Sequence, residues 1–556
     1  MGDHIKVIKK NLCSKNALMA CVFVLFAAQA VFPDPEIVNP SETLVIKSFD
    51  DVGLATDIYL PESGGTFPCV LIRTPYNRKN VLSDAEFFTG LGYAVVIQDT
   101  RGKYESEGTF YPFKYERQDG LATIDWIKAQ SWSNGKIGGW GGSYGGYTQW
   151  AVADRLDAMV PLITSANMYE LVYPNGIFSL ATSFNWNFWV DSKTVNEITP
   201  DKMTAAYSIR PLSTADNSTY GQNDFMDDVL EHQCEDAYWG ALNHRSAESC
   251  PMFSIAGWYD IFLMGQINDF IDPASRRHPQ SRLLIGPYAH GSILIDTDFG
   301  DHGDLYKFKD EAVAFLAEHL KEENPPSKQP LNDKPYSLFI EHRNQWYDAQ
   351  EWPPEKSKPT PYYLGSKGTV SILKPAEDSQ LEFLYNPKTP FPSLGGSFFG
   401  KGAGPAYQNE NIEREDQLVF ESDPLGEELI LLGPVDATIY VGTGAPSTDF
   451  FVSLQDVRPD GKIVNIQEGG KTIFTDGNSD GRIQGVDISL WAAGYQINPG
   501  HKIRLVITSS LFPRYNCNLN SGEAIFSAEH AQPALQKVYF GKKYPSHIRL
   551  PILQMK

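Results

Sequence analysis

No CxxC or HExxH pattern occurs in the 556 residues, so the paired thiolates or imidazoles that usually hold zinc are missing. Cysteine itself is sparse, with six in all. Positive charge is in deficit: 47 Lys and Arg stand against 68 Asp and Glu, a net charge of -21 with a pI near 5.0. Such a chain is repelled by polyanions, which excludes nucleic acid and an acidic membrane surface as partners, and no local basic patch offsets this. Long compositionally biased tracts are absent too. What remains is 42% hydrophobic, 21% charged and 12% aromatic residues, the composition of an ordered globular protein long enough for two or three domains.

The first thirty residues differ from the rest. Lys6, Lys9, Lys10 and Lys15 precede an apolar run from Ala17 to Ala28 that is too short to span a bilayer and ends in the small-x-small site Ala28-Gln29-Ala30. Residues 1–30 therefore read as a secretory signal peptide, and the mature chain is expected to start near Val31, exported to the periplasm or the medium with no membrane association after cleavage. A lipid-modified Cys21 fits less well, because the apolar run continues past it. The mature cysteines are Cys69, Cys234, Cys250 and Cys517. Cys69 lies in an apolar, strand-like run and reads as a buried thiol. Cys234 and Cys250 lie in a polar stretch where an oxidising compartment would let them pair, but spacing does not fix connectivity.

From 43 to 290, short apolar runs alternate with amphipathic ones, as a parallel sheet with crossover helices requires. Strands are expected at Phe67–Arg73 and Tyr93–Asp99 with a helix over 83–91 between them, and a further helix after Arg117 returns to the strand Lys136–Trp140. That strand runs into Gly141-Gly142-Ser143-Tyr144-Gly145-Gly146 and then a helical segment. Gly-x-Ser-x-Gly alone is a weak signal. Between a strand and a helix it is the nucleophile elbow of an α/β-hydrolase: Gly141 and Gly145 let strand and helix approach, and Ser143 is held in a strained conformation with its hydroxyl exposed.

A serine hydroxyl needs a base, usually His oriented by a carboxylate, and on this fold the chain order is Ser, acid, His. Met252–Asp260 and Arg282–Gly291 are each an apolar strand followed by a glycine-containing loop, which puts Asp260 and His290 at strand ends. Ligands bind on that side in open α/β sheets. Asp269 is the nearest rival acid, but it falls in a helical pattern.

Arg73-Thr74-Pro75-Tyr76, Asp99-Thr100-Arg101-Gly102 with Ser106-Glu107-Gly108, the elbow, Gly257-Trp258-Tyr259-Asp260 and Gly286-Pro287-Tyr288-Ala289-His290-Gly291 together resemble the CocE/NonD hydrolase family, which includes cocaine esterase and is related to Xaa-Pro dipeptidyl-peptidases. The resemblance implies Ser143 as nucleophile, His290 as base and Asp260 as its orienting acid. It also implies an oxyanion hole made by the Tyr76 hydroxyl and the backbone N–H of Tyr144, with Asp99 and Arg101 stabilising loops. In relatives that hydrolyse α-amino acid esters, acidic residues follow the catalytic aspartate by two and three positions. Here those positions are Phe262 and Leu263, which favours a neutral or apolar acyl group.

The expected organisation is a first part of the α/β-hydrolase domain over 31–149, a helical cap over 150–250, a second part over 251–344, and a C-terminal jelly-roll β-sandwich over 345–556. Cap aromatics such as Trp186 and Trp189 either line a substrate pocket or form ordinary core. In the last segment, strands are suggested at Glu428–Leu432, Ala437–Val441 and Lys502–Ile507. Asp476–Ile483 with Asp487 resembles a calcium loop, but neither flank is helical and the family pattern puts Asp487 at a strand start, so no metal is expected.

The function these features favour is an exported, carboxylesterase-like serine hydrolase acting on a small-molecule ester or amide, with no cofactor. Alternatives are an Xaa-Pro dipeptidyl-peptidase, a side-chain amide acylase such as glutaryl-7-aminocephalosporanic acid acylase, or a secreted glycan- or peptide-binding protein on a degenerate hydrolase scaffold. A homo-oligomer is compatible with the sequence.

Overall fold

The computed structural model describes residues 39–191, 200–219, 221–245, 250–273, 278–295, 297, 299–303, 308–321, 334–475 and 482–555. The signal peptide expected at 1–30 and most of the calcium-like loop, 476–481, lie outside them. No helix among the described residues is long and apolar enough to cross a membrane.

Two sheets organise the chain. The first has ten strands: β1 (Glu42–Lys47), β2 (Gly53–Tyr59), β3 (Phe67–Thr74), β4 (Ala94–Asp99), β5 (Ser133–Gly142), β6 (Ala158–Leu162), β7 (Phe253–Tyr259), β8 (Arg282–Ala289), β9 (Tyr336–Ile340) and β10 (Gln345–Ala349). Their spatial order is β1-β2-β4-β3-β5-β6-β7-β8-β9-β10, parallel from β4 to β9 and antiparallel at both edges. Strands β3 and β4 are buried along almost their whole length, because helices Leu82–Gly90 and Glu116–Lys128 cross over between successive parallel strands. This is the doubly covered sheet that continuous apolar runs such as Cys69–Ile72 call for.

Between β6 and β7 the chain leaves the sheet and forms mostly short helices. The longest described there are Leu180–Asp191 and Asp224–Glu231. The helical insertion expected over 150–250 needs correcting at its start, since β6 lies inside that range and belongs to the sheet. β6 is only 5 residues long and carries Pro161, a residue that argues against a central strand in sequence. The boundary expected at 345 also moves, because β10 forms a hairpin with β9 at the edge of the first sheet.

From Ser357 to Leu553 the chain forms an 11-stranded, largely antiparallel β unit around a second core that includes Phe450, Leu454, Leu490 and Phe540. The two strands suggested around 430 and 440 are one strand, Leu429–Thr443, whose register shifts between Pro434 and Asp436. Gly433-Pro434 reads as a break in sequence. In the fold it is a bulge, which tolerates the missing N–H of proline. Asp487 lies near the start of the partner strand Gln484–Ile497 and accepts the Thr438 hydroxyl (2.6 Å). The cysteines Cys69, Cys234, Cys250 and Cys517 are all free. Cys234 is exposed while Cys250 is buried, so the pairing left open in the sequence is not made.

Candidate active site

β5 ends at Gly142 and the elbow helix Tyr144–Trp150 begins one residue after Ser143. Ser143 has φ 55° and ψ -124°, a backbone conformation that costs energy for any residue with a side chain. Several contacts hold it there. The Ser143 N–H donates to Leu162 O (3.0 Å), and the Thr164 hydroxyl donates to Ser143 O (2.7 Å). Gly141 has φ 142°, and a Cβ on it would sit 3.3 Å from the Gly145 backbone. Gly146 is tighter still, since its Cβ would lie 2.3 Å from Thr164 Cγ2.

Beneath the elbow, the Tyr144 hydroxyl donates to the buried Glu116 carboxylate (2.7 Å) and accepts from the Phe113 N–H (2.9 Å), while Arg73 pairs with Glu116 (2.9 Å). The Tyr144 side chain thus anchors the helix start. Its backbone N–H belongs to the first helical turn, where donors lack an intrahelical acceptor.

Tyr76, Ser143, Asp260 and His290 follow the C-terminal ends of β3, β5, β7 and β8, which are parallel and therefore deliver all four to one side of the sheet. Asp260 is fully buried; one of its oxygens accepts the Phe262 N–H (2.9 Å) and the other lies 2.8 Å from His290 Nδ1. That contact fixes the imidazole and leaves Nε2 as its other reactive atom. The rival, Asp269, sits on the helix Leu263–Ile271 and is tied to Arg245 (2.8 Å) and the Ala166 N–H (2.8 Å), a structural role.

Tyr76 and Ser143 line the same cavity, and the Ser143 hydroxyl is among the groups that act on the Tyr76 phenol. Burial pushes the Tyr76 phenol up to about 12, so it keeps its proton at neutral pH and remains a donor. Trp186 donates its indole N–H to the same phenol oxygen (3.0 Å), and Trp189 packs on the Tyr76 ring at 4.7 Å between centroids. Arg78 donates its N–H to Asp99 (2.7 Å), and Arg101 binds Asp119 and Asp50, so Asp99 and Arg101 hold loops in place.

Ser143, Tyr76 and His290 open into one cavity. Its walls are mainly apolar and aromatic, including Phe113, Tyr147, Phe225 and Phe262, and no Asp or Glu lines it. Phe262 contacts the His290 ring (5.5 Å between centroids), and Leu263 is buried in the core behind it. Two contributors lie outside the hydrolase motifs, the first left open in sequence between pocket and core, the second not expected at all. Trp186 comes from the inserted helix, and Phe399, whose ring lies 5.6 Å from His290, comes from the β unit. The same segment meets the histidine loop through Gly400 N–H to His290 O (3.2 Å) and Gly402 N–H to Ser292 O (2.8 Å). A Cβ on Gly291 would lie 1.7 Å from Gly400 O. Neither contributor has a local sequence signal, because each depends on where a distant segment folds back. Among the described residues, no group of three or more His, Cys, Asp or Glu side chains forms a metal-binding cluster.

A model of the X-Pro dipeptidyl-peptidase (S15) family matches residues 50–292, and a model of the X-Pro dipeptidyl-peptidase C-terminal non-catalytic domain matches residues 329–549. The chain is 29% identical to the cocaine esterase of Rhodococcus sp. (strain MB1 Bresler), over 92% of this chain and 98% of that protein. Among solved structures it is similar to an α-amino acid ester hydrolase (22% identity, TM-score 0.78, 94% of this chain and 100% of that one). It is also similar to an aminopeptidase from a marine sediment archaeon, Thaumarchaeota archaeon (20% identity, TM-score 0.77, 95% and 99%). At these identities the two structures bear on the fold, and they share it over both sheets.

Proposed function

We propose that the chain, similar to cocaine esterase and to the X-Pro dipeptidyl-peptidases, is a serine hydrolase of the CocE/NonD kind, an exported esterase in which Ser143, His290 and Asp260 hydrolyse a neutral, largely apolar acyl ester through an acyl-enzyme. Ser143 Oγ attacks the carbonyl while His290 Nε2 takes its proton. Asp260 holds the ring by Nδ1 and stabilises the imidazolium. The oxyanion is received by the Tyr76 hydroxyl and the Tyr144 N–H, donors that strengthen as charge develops. His290 then protonates the leaving group, and water, activated by the same histidine, releases the acid.

The observation that carries this reading is the shared cavity: nucleophile, Tyr76 and base face one space whose walls hold no carboxylate. A peptidase recognising a protonated amino terminus, or an amino-acid esterase, would need a countercharge there, since a buried ammonium without one is costly. That favours ester over dipeptide. Labelling with a fluorophosphonate probe is expected on the wild type and not on Ser143→Ala. Esters of p-nitrophenol with graded apolar acyl chains should turn over far faster than an Xaa-Pro nitroanilide. Turnover retained by Ser143→Ala would overturn the mechanism, and a preference for the nitroanilide would overturn the substrate class.

A further inference from the structure

Three polar side chains of the helix Leu180–Asp191 line the cavity, each with one buried polar atom unmet. Thr182, Ser183 and Asn187 are 3%, 8% and 1% exposed, and all three line the space shared by Ser143 and His290. Thr182 Oγ1, Ser183 Oγ and Asn187 Oδ1 find no hydrogen-bond partner among the described residues. Buried polar atoms are normally paired, so three on one apolar wall require an explanation.

Local helix chemistry does not supply it. A buried helical Ser or Thr commonly bonds a carbonyl three or four residues back. Elsewhere in this chain Thr89, Thr148 and Thr219 do so, to Ala85, Gly145 and Ala215. Thr182 and Ser183 do not. Asn187 spends its amide N–H groups on Ser183 O (3.1 Å) and Met226 Sδ (3.7 Å), which fixes Oδ1 as the unmet atom, an acceptor awaiting a donor.

Resting on the esterase reading above, we propose that Thr182, Ser183 and Asn187 form a subsite for an uncharged hydrogen-bonding group, a hydroxyl or an amide N–H, carried by the acyl part of the substrate. A hydroxyl has the groups to answer all three atoms: its one proton goes to Asn187 Oδ1 and its two lone pairs accept from Thr182 and Ser183. Charge is excluded, because apart from His290 every side chain lining the cavity is one that stays neutral near pH 7, and a buried ion would go unmatched. The acyl side is assigned by the helix faces. Asn185 and Trp189 meet Phe399, which lies beside His290 where the leaving group is protonated, whereas Asn187 turns to Met226. Thr182 and Ser183 precede Trp186, which holds Tyr76, by four and three residues, so their hydroxyls lie roughly one helical turn, about 5.4 Å, from the oxyanion side, while Asn187 follows Trp186 directly. A substituent on a benzoyl ring or the end of a six-carbon chain reaches that far.

The test compares kcat/KM for matched p-nitrophenyl esters: 3- and 4-(hydroxymethyl)benzoate against 3- and 4-ethylbenzoate, and 6-hydroxyhexanoate against heptanoate. At least one hydroxyl member is expected to exceed its apolar isostere by about fivefold or more, the yield of one well-made hydrogen bond. Asn187→Leu should abolish or reverse that ratio, and Thr182→Val should reduce it. A merely structural role would lower both members in parallel and leave the ratio unchanged. Should Asn187→Leu not fold, Thr182→Val and Ser183→Ala carry the comparison. Wild-type enzyme that labels at Ser143 and prefers the apolar member of every pair overturns the subsite alone. So does a hydroxyl preference seen only when the substituent is moved to the leaving group. Absence of both labelling and turnover overturns the esterase reading, and the subsite with it.

Discussion

In the proposed mechanism Tyr76 acts together with Trp186, whose indole N–H occupies a lone pair of the phenol (3.0 Å) and leaves the phenol proton free to meet the oxyanion. Tyr76→Phe is therefore expected to lower kcat on a p-nitrophenyl ester by about 10²-fold or more, the usual cost of one oxyanion donor, without changing Tm. Trp186→Phe keeps the phenol but frees its orientation, and should cost less, about three- to tenfold, again in kcat rather than KM. Single-turnover kinetics on both variants check the order. At this scale the sequence was informative wherever a residue ends a strand: Ser143, Asp260, His290 and Tyr76 follow apolar runs that announce themselves. Trp186 was not legible. It sits 110 positions from Tyr76, in a segment whose aromatics suit a core as well as a pocket.

The elbow is held as much by Gly146 as by the glycines of the Gly-x-Ser-x-Gly pattern. Gly146→Ala would press a methyl against Thr164, whose hydroxyl is bonded to Ser143 O. We expect a loss of about 1–3 kcal/mol in stability together with reduced kcat, since Thr164 cannot retreat without releasing the elbow. Adding Thr164→Ser, which removes the Cγ2 methyl and keeps the hydroxyl, should recover part of both losses, and denaturant melts with steady-state assays on the two variants check it. Elements were readable where periodicity is long: the crossover helices and the strands at Phe67, Ala94, Phe253 and Arg282 fall within a few residues of expectation. Proline misled elsewhere. Pro161 hid the central strand β6, and Pro434 split Leu429–Thr443 in two, because a bulge or a sheet position with no N–H requirement leaves no mark in a single sequence.

Across the whole molecule, the two sheets are joined through buried polar contacts next to Asp260. Trp258, held within the first sheet by its indole N–H to Phe339 O (2.8 Å), accepts the Gln467 amide of the β unit at its carbonyl (2.8 Å). Glu341 exchanges backbone bonds with Gly494 and Gln496 and accepts the Tyr259 hydroxyl (3.0 Å). Burial pushes the Glu341 carboxyl up to about 8 from an ordinary value of 4.5. Between those two pH values the folded chain keeps a proton that the unfolded chain loses, so this group's contribution to stability is full below about 4.5, falls as pH rises, and is spent above about 8. Glu341→Gln does not titrate. The wild type should therefore lose stability relative to it from pH 5 to 8, on the order of a few kcal/mol, and run parallel to it at higher pH. Calorimetric Tm values for both proteins across that range check the sign. The all-β character of the C-terminal half was plain in its proline-punctuated alternation. Its reach into the active site was not, for contacts between distant segments carry no period.

The seam between Gly291 and Gly400 bears on how such a chain can change over generations. With so little room between those two backbones, and Phe399 laid beside the His290 ring, the proposed site is built from both halves of the chain. A recombination that swaps the β unit for a relative's must import a segment that fits against the resident histidine loop, or the hybrid folds as two sound parts with a disordered base between them. At this seam a change of volume in one half is expected to require an answering change in the other.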